Sequence, residues 1–238
     1  MVMPPFPVTR HSIVAAIRSE RTEVRRSAFD ALVHAYWKPV FKYVRLKWHA
    51  SPDEAADLTQ AFFLRAFEKD FFAAFDPTRA RFRTFLRTCL DRFVANARQA
   101  EGRLKRGGGA IVVPIDLPEA ERELALQARH AVTDFDAFFH REWLRSLCAT
   151  AAARLREGCS ARGRPQRFAM FEQYDLAADE GERPSYGELA RRFGMSATGV
   201  TNELAAARRE FRRLVLAALR DQCASDEEFA AESRALGA

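Results

Sequence analysis

Apolar side chains recur at every third or fourth position along most of this chain, which is the spacing of residues on one face of an α-helix. The regular alternation of apolar and polar residues that marks a half-buried strand is missing. Because 48% of the 238 residues are hydrophobic, the chain can bury substantial cores. We therefore predict an all-α fold.

One segment departs from the helical spacing. The run Gly107–Gly109 is followed by a stretch that contains Pro114 and Pro118, and glycine and proline without helical periodicity are typical of a linker. Helical spacing resumes near Asp134. The sequence thus predicts two helical domains, residues 1–106 and 134–222, a flexible linker, residues 107–133, and a polar C-terminal tail, residues 223–238.

Residues 184–204 have the spacing of a helix-turn-helix. Ser185 and Glu188 have the pattern of a capping box at a helix start, and Gly194 stands where that helix must end in a left-handed conformation. Ser196 can cap the second helix, which in this motif enters the major groove of DNA. An ordinary helical hairpin carries the same caps and stays an alternative, although the arginines that follow favour DNA. The candidate DNA-binding residues of this segment are Ser196, Thr198, Thr201, Asn202, Arg208, Arg209 and Arg212.

Residues 79–106 carry nine basic side chains and two acidic ones. A predicted apolar face of this helix consists of Phe82, Phe85, Leu86, Cys89, Phe93 and Ala97. Arg83, Arg87 and Arg98 fall on the opposite face, where a row of cations suits a DNA backbone. A solvated charged surface is the ordinary alternative. The first two phenylalanines could stack on bases, but at core spacing they are more often buried.

The preceding segment, Asp53 to Phe67, predicts a second amphipathic helix. Its packing face consists of Ala55, Leu58, Phe62 and Ala66. The other face combines Asp57, Gln60 and Leu64, and an exposed leucine among acidic and amide groups is typical of a protein-docking surface. A single surface leucine is also unremarkable, so a plain solvated face stays open.

Charge, cysteine and histidine usage narrow the function. A net charge of +6 favours a polyanionic partner such as nucleic acid. The four cysteines form no C-x-x-C pair and the five histidines have no metal-ligand spacing, so we expect reduced thiols, no metal and no cofactor. No nucleophile stands in a catalytic setting, which predicts that the protein is not an enzyme. Signal-peptide and membrane-span patterns are missing, and we expect a cytoplasmic protein without membrane contact.

Five segments together resemble one protein family. They read YWKPV (36–40), DEAADLTQAFFLR (53–65), RFRTFL (81–86), KRGGG (105–109) and the helix-turn-helix (184–204). In this order they resemble the extracytoplasmic-function class of RNA polymerase sigma factors, and the match covers nearly the whole chain. The aspartate–leucine–x–glutamine core of the second segment is its most specific piece. The resemblance implies a sigma domain 2 helical bundle, then a linker, then a sigma domain 4 helix-turn-helix.

The resemblance also implies how the two domains act. In this family the first domain docks on the clamp of the polymerase's largest subunit and then binds and melts the minus-ten promoter element. The helix-turn-helix reads the minus-thirty-five element and contacts the flap of the second-largest subunit, and the linker threads toward the active-site cleft. The implied polymerase-binding residues are Asp53, Asp57, Gln60 and Leu64. The implied minus-ten-binding residues are Arg79, Arg81, Arg83, Arg87, Arg92, Asn96 and Arg98.

Regulation and an alternative function stay open. Family members often carry a glutamate where this chain has Ala56, and a Ser/Thr kinase that phosphorylates Thr59 would restore negative charge to the helix. An anti-sigma factor is the other candidate regulator. The alternative function is a stand-alone helix-turn-helix regulator, which binds duplex DNA as a dimer without polymerase. Such a regulator does not need a polymerase-docking helix followed by a basic helix, which the sequence predicts for residues 53–67 and 79–106.

Overall fold

The computed structural model describes residues 13–101, 117–127, 132–177 and 183–236. Every regular element within these ranges is helical, in agreement with the predicted all-α class. The helices are α1 (Ile13–Ala16), α2 (Thr22–Lys47), α3 (Pro52–Glu68), α4 (Phe82–Glu101), α5 (Leu117–Gln127), α6 (Phe135–Ala161), α7 (Pro165–Phe171), α8 (Tyr186–Phe193), α9 (Ala197–Gln222) and α10 (Asp226–Ala235). A 3₁₀ helix, Phe71–Ala74, precedes α4, and a π-helical turn, Glu172–Leu176, follows α7. None of the described helices has the length and apolar character needed to cross a membrane.

The chain divides into two compact units whose bounds differ from the predicted domains. The first unit extends to Ser146 and also contains Arg220–Leu236, and the second consists of Leu147–Leu219. The start of α6 and the whole of α10 therefore belong to the first unit, whereas the sequence places them in the second domain and in a tail. Helical periodicity shows which face of a helix is buried but not which helix covers it.

The core of the first unit contains one buried stripe from each of α3 and α4. A capping box starts α3, since Ser51 Oγ accepts a hydrogen bond from the Glu54 amide at 3.1 Å and the Glu54 carboxylate accepts one from the Ser51 amide at 3.3 Å. The predicted packing face of α3 is confirmed as buried at Ala55, Leu58, Phe62 and Ala66. The buried stripe of α4 consists of Phe82, Leu86, Leu90 and Val94, each one turn from the next.

Part of the predicted flexible linker is the helix α5. Ala120 and Leu124, one turn apart, are its buried side chains. Glu121 accepts hydrogen bonds from the Arg45 guanidinium of α2 at 2.5 and 2.9 Å. The prediction of a flexible linker is thus wrong for residues 117–127, which ion pairs and apolar contacts hold within the first unit. Residues 107–116 and 128–131 of that linker lie outside the described residues.

The core of the second unit forms around α8 and α9. The two helices contribute Leu189, Val200, Leu204 and Ala207, all fully buried. These side chains pack with Leu155, Cys159, Phe168, Met170 and Phe171 from α6 and α7. Pro165 occupies the first turn of α7, where its missing N–H costs no helical hydrogen bond.

A buried lysine joins three helices of the first unit. The Lys42 side chain of α2 is 1% exposed, and its Nζ lies 2.6 Å from a carboxylate oxygen of Glu142 in α6, itself 2% exposed. The same Nζ lies 2.5 Å from Glu123 of α5. Because a buried ammonium is costly without partners, Lys42 and Glu142 must be buried together, and the partly exposed Glu123 supplies the second carboxylate.

Replacing Lys42 by methionine should lower the free energy of unfolding by about 3 kcal/mol, because the buried Glu142 then loses its buried cation and keeps only Arg145, whose side chain is 53% exposed. Lys38→Met is the matched control, since Lys38 binds the same Glu123 but from a side chain that is 28% exposed. That change should cost about 1 kcal/mol or less. Urea denaturation followed by circular dichroism checks both values, and equal losses would contradict the role given to the buried ammonium.

Candidate nucleic-acid interface

The polar face of α3 is the first candidate surface. The predicted docking residues Asp53, Asp57, Gln60 and Leu64 follow one another at helical intervals, which places them on one side of the helix. Both aspartates are exposed, whereas Gln60 and Leu64 are half-buried. The structure thus groups these four side chains on a surface that offers two carboxylates to a basic partner.

The position of Thr59 in α3 contradicts its predicted phosphorylation. Thr59 is fully buried, and its hydroxyl donates a hydrogen bond to the carbonyl oxygen of Ala55 at 2.7 Å. Ala56 is buried as well. A kinase requires an accessible hydroxyl, which Thr59 would offer only if α3 unfolded locally. The hypothesis that a Ser/Thr kinase acts on Thr59 is therefore wrong.

A groove of about 980 Å³ lies between α3, the 3₁₀ helix and α4. Its apolar walls include Phe71, Phe85, Cys89 and Phe93. Its charged and amide groups are Arg65, Glu68, Lys69, Asp70, Arg92 and Asn96. Burial raises the pKa of the Cys89 thiol, so this wall is uncharged near neutral pH. The groove brings together one predicted docking residue, Leu64, and two predicted minus-ten residues, Arg92 and Asn96.

The sequence did not predict the groove, because it indicated one wide apolar face of α4 and favoured burial of that face over base stacking. The fully buried stripe is that of Phe82 and Leu86, whereas Phe85, Cys89 and Phe93 form a second row that is only partly buried. Both rows have helical spacing. The width of this apolar face could have indicated the groove. The row of Phe82 and Leu86 suffices to pack α4, which leaves the row of Phe85, Cys89 and Phe93 for another contact.

Three arginines of α4 make contacts within the first unit. The Arg87 guanidinium lies 3.0 Å from Asp136, and that of Arg98 lies 2.7 Å from Glu54. Arg83 is paired with a carboxylate of α10. The prediction of a solvent-facing row formed by Arg83, Arg87 and Arg98 is therefore wrong. Their part in DNA binding stays a prediction, and it now requires that these ion pairs exchange with phosphates.

The other predicted minus-ten residues are more accessible. Arg92 and Asn96 are exposed at the rim of the groove. Arg79 has a side chain that is 85% exposed, with its Nε 3.6 Å from Asp76. Arg81 is exposed in part and also faces α10. Arg79 and Arg92 can therefore reach a polyanion without first breaking a buried contact, whereas Arg81 would first have to release the buried Glu232.

The two capped helices predicted for residues 184–204 are present as α8 and α9. Ser185 Oγ accepts a hydrogen bond from the Glu188 amide at 3.2 Å, and the Glu188 carboxylate accepts one from the Ser185 amide at 2.7 Å. Gly194 ends α8 with a φ of 64°, in the left-handed region. Ser196 Oγ accepts a hydrogen bond from the Gly199 amide at 3.1 Å and so caps α9.

Side chains at the start of α9 are presented to solvent. Thr198, Thr201 and Asn202 are exposed there, although the Thr201 hydroxyl also donates to the carbonyl oxygen of Ala197 at 3.0 Å. Arg209 and Arg212 are exposed further along the helix. The hydroxyls and the amide suit base edges, and the arginines suit phosphates.

Two charged residues of α9 have partners within the second unit. Arg208 donates hydrogen bonds to Asp175 at 2.9 and 3.0 Å, which raises the pKa of its guanidinium. Glu203 accepts a hydrogen bond from Arg167, which lowers the pKa of its carboxyl group. Arg208 was predicted as a phosphate ligand, and this role now requires that Asp175 be displaced.

Comparison with known proteins gives no relative. No family model matches the chain, no curated protein matches it, and no solved structure matches it. Across the part of the chain that the structure describes, no cluster of three histidine, cysteine, aspartate or glutamate side chains could hold a metal ion.

Replacing Gly194 by alanine should destabilise the second unit by about 1–2 kcal/mol, because a Cβ atom disfavours the left-handed conformation. Gly199→Ala is the matched control, since a Cβ at this helical position meets Ser196 Oγ at 3.4 Å. Alanine there should leave the free energy of unfolding unchanged or raise it by up to about 1 kcal/mol. Urea denaturation measures both, and a Gly194→Ala protein as stable as the parent would refute the assigned turn.

Proposed function

We propose that this protein is a sigma factor of the extracytoplasmic-function type, which directs core RNA polymerase to specific promoters and helps to open their strands. The observation that carries the proposal is the groove between α3 and α4. This cavity, with aromatic walls and both basic and acidic side chains at its edge, lies directly beside the polar face of a helix suited to protein docking. The five resembling sequence segments support the same function.

The groove has the chemistry needed to hold an unstacked base. Phe71 and Phe85 offer aromatic surfaces on which a base can stack, an interaction worth about 1–3 kcal/mol per base. The Asn96 amide can both donate to and accept from a base edge, and the Arg92 guanidinium can bind a phosphate of the same strand. A base extruded from the minus-ten element is the ligand we assign to this groove.

The polar face of α3 is the proposed contact with the clamp of the polymerase's largest subunit. Asp53 and Asp57 are exposed for basic partners, while Gln60 and Leu64 supply an amide and a small apolar contact. Leu64 also lines the groove, so the docking contact and the base-binding cavity adjoin each other. A factor that couples polymerase binding to strand opening needs this proximity.

The helix-turn-helix of the second unit is the proposed reader of the minus-thirty-five element. Thr198, Thr201 and Asn202 would contact base edges in the major groove, and Arg209 and Arg212 would bind phosphates. The flap of the second-largest polymerase subunit is the further partner of this unit. The proposal also implies a cytoplasmic protein that needs no cofactor, contacts no membrane and is open to control by an anti-sigma factor.

A stand-alone regulator is the second candidate, because the capped helices α8 and α9 and their turn have the spacing of a helix-turn-helix. It would bind duplex DNA as a dimer and would not associate with core polymerase. Purified protein should therefore be tested for capture of core polymerase and for transcription from a pooled genomic template. Specific transcript starts that require the protein support the sigma factor, whereas DNA binding without polymerase capture supports the regulator.

Asp57→Lys should weaken association with core polymerase by about tenfold or more, because it reverses a charge at the centre of the docking face. Asp30→Lys is the matched control, since Asp30 is also an exposed aspartate but lies on α2, outside this face. Titration of labelled protein with core polymerase measures both affinities. If the two variants bind alike, α3 is not the docking helix.

Asn96→Ala should lower the yield of open promoter complexes by about tenfold, the effect of losing one base contact. Gln99→Ala removes an exposed amide from the same helix outside the groove and should change the yield little. Permanganate footprinting of the melted segment, on a promoter found by the transcription assay, reports the yield. An unchanged yield for Asn96→Ala would exclude a base contact at this position.

A further inference from the structure

An acidic helix covers the cationic start of α4. Glu232 of α10 is only 2% exposed, lies 3.0 Å from the Arg81 guanidinium and accepts a hydrogen bond from Arg83. The Arg83 side chain is 11% exposed, because its guanidinium also lies over the ring of Trp143. A ligand therefore cannot replace Glu232 on Arg83 while α10 keeps this position.

A second carboxylate of α10 occupies the N-terminus of α4. Glu228 accepts a hydrogen bond at 3.2 Å from the backbone amide of Phe82, the first residue of α4. Free amides at a helix N-terminus favour anions, phosphate among them. Glu228 and Glu232 are one turn apart, about 6 Å along the helix axis, and so share one face. α10 thus presents two carboxylates to donor groups that suit nucleic-acid phosphates.

Charge rather than apolar burial holds most of α10 in place. Phe229 is its only large apolar side chain and is half-buried. Arg220 pairs with Asp226 and lies over the Phe229 ring, and the two charged side chains are 48% and 79% exposed. Exposed ion pairs weaken with salt and with competing charge. This outer ion pair is therefore open to competing charge, whereas release of the buried Glu232 also requires an anion that binds Arg81 and Arg83 in its place.

We propose that α10 is an autoinhibitory helix, whose Glu228 and Glu232 hold the donor groups at the start of α4 until phosphates of a nucleic-acid strand replace them. The identity of that strand as promoter DNA rests on the proposed function. The occupation of these donor groups by Glu228 and Glu232 would weaken the binding of any nucleic-acid strand that reaches α4. The free protein accordingly binds nucleic acid more weakly than the same protein without these carboxylates.

Binding of the full-length protein to a fluorescent single-stranded oligonucleotide, measured by anisotropy over a range of salt concentrations, tests the masking without polymerase. Glu232→Gln should bind about fivefold more tightly at low salt, because it removes the anion that competes for Arg81 and Arg83. The slope of log affinity against log salt should steepen by about 0.7 for each recovered phosphate contact. Deletion of residues 226–238 should have at least the same effect.

Glu227→Gln is the matched control, since it removes the same charge from an exposed position of α10. It should change affinity and salt slope much less, and Arg83→Ala introduced into the Glu232→Gln protein should abolish the gain. Equal effects of the two glutamine variants, or a less stable Glu232→Gln protein without tighter binding, would overturn the inference and leave Glu232 a structural residue. If a variant binds the oligonucleotide more tightly but the protein does not capture core polymerase, the result supports autoinhibition and contradicts only the sigma-factor proposal.

Discussion

The apolar anchoring of α4 determines where the functional side chains of the first unit can lie. Its buried stripe consists of four side chains that are each at most 1% exposed: Phe82, Leu86, Leu90 and Val94. This stripe fixes the rotation of the helix about its axis. With the rotation fixed, Phe85 and Cys89 face the groove, while Arg83 faces Glu232 and Trp143. The candidate base-binding surface and its acidic neighbour therefore both follow from the same hydrophobic contact.

Ion pairs then decide which of the remaining segments are held. α5 buries only a small apolar row, and its acidic side chains bind Arg45, Lys38 and Lys42 of α2. Because Lys42 is itself buried, α5 cannot leave without exposing a lysine that still contacts Glu142. α10 combines an exposed outer ion pair, Arg220–Asp226, with the buried contacts of Glu232 to Arg81 and Arg83. Both acidic helices are thus held by cations of other helices more than by their own small apolar rows.

The range of each interaction along the chain explains which features could be predicted. The caps at Ser51, Ser185 and Gly194 depend on neighbours within a few positions, and the sequence predicted the helices that they bound. The partners of α5 and α10 are far away: Lys42 is 81 positions from Glu123, and Arg83 is 149 positions from Glu232. An acidic run read by itself resembles a solvated linker or tail, because only its distant cations make it a packed helix.

Pairing of the arginines also changes what the net charge of +6 implies. A polyanion that meets this protein finds some cations exposed, such as Arg92, Arg209 and Arg212, and finds Arg83 and Arg208 already bound to carboxylates. The exposed group favours encounter, which needs only long-range attraction. The paired group adds affinity only for a ligand that replaces each carboxylate with contacts of better geometry. In the proposed function, a promoter held in register can replace the carboxylates on the paired arginines, whereas a non-specific strand cannot. The paired arginines therefore lower the affinity for non-specific strands more than the affinity for a promoter.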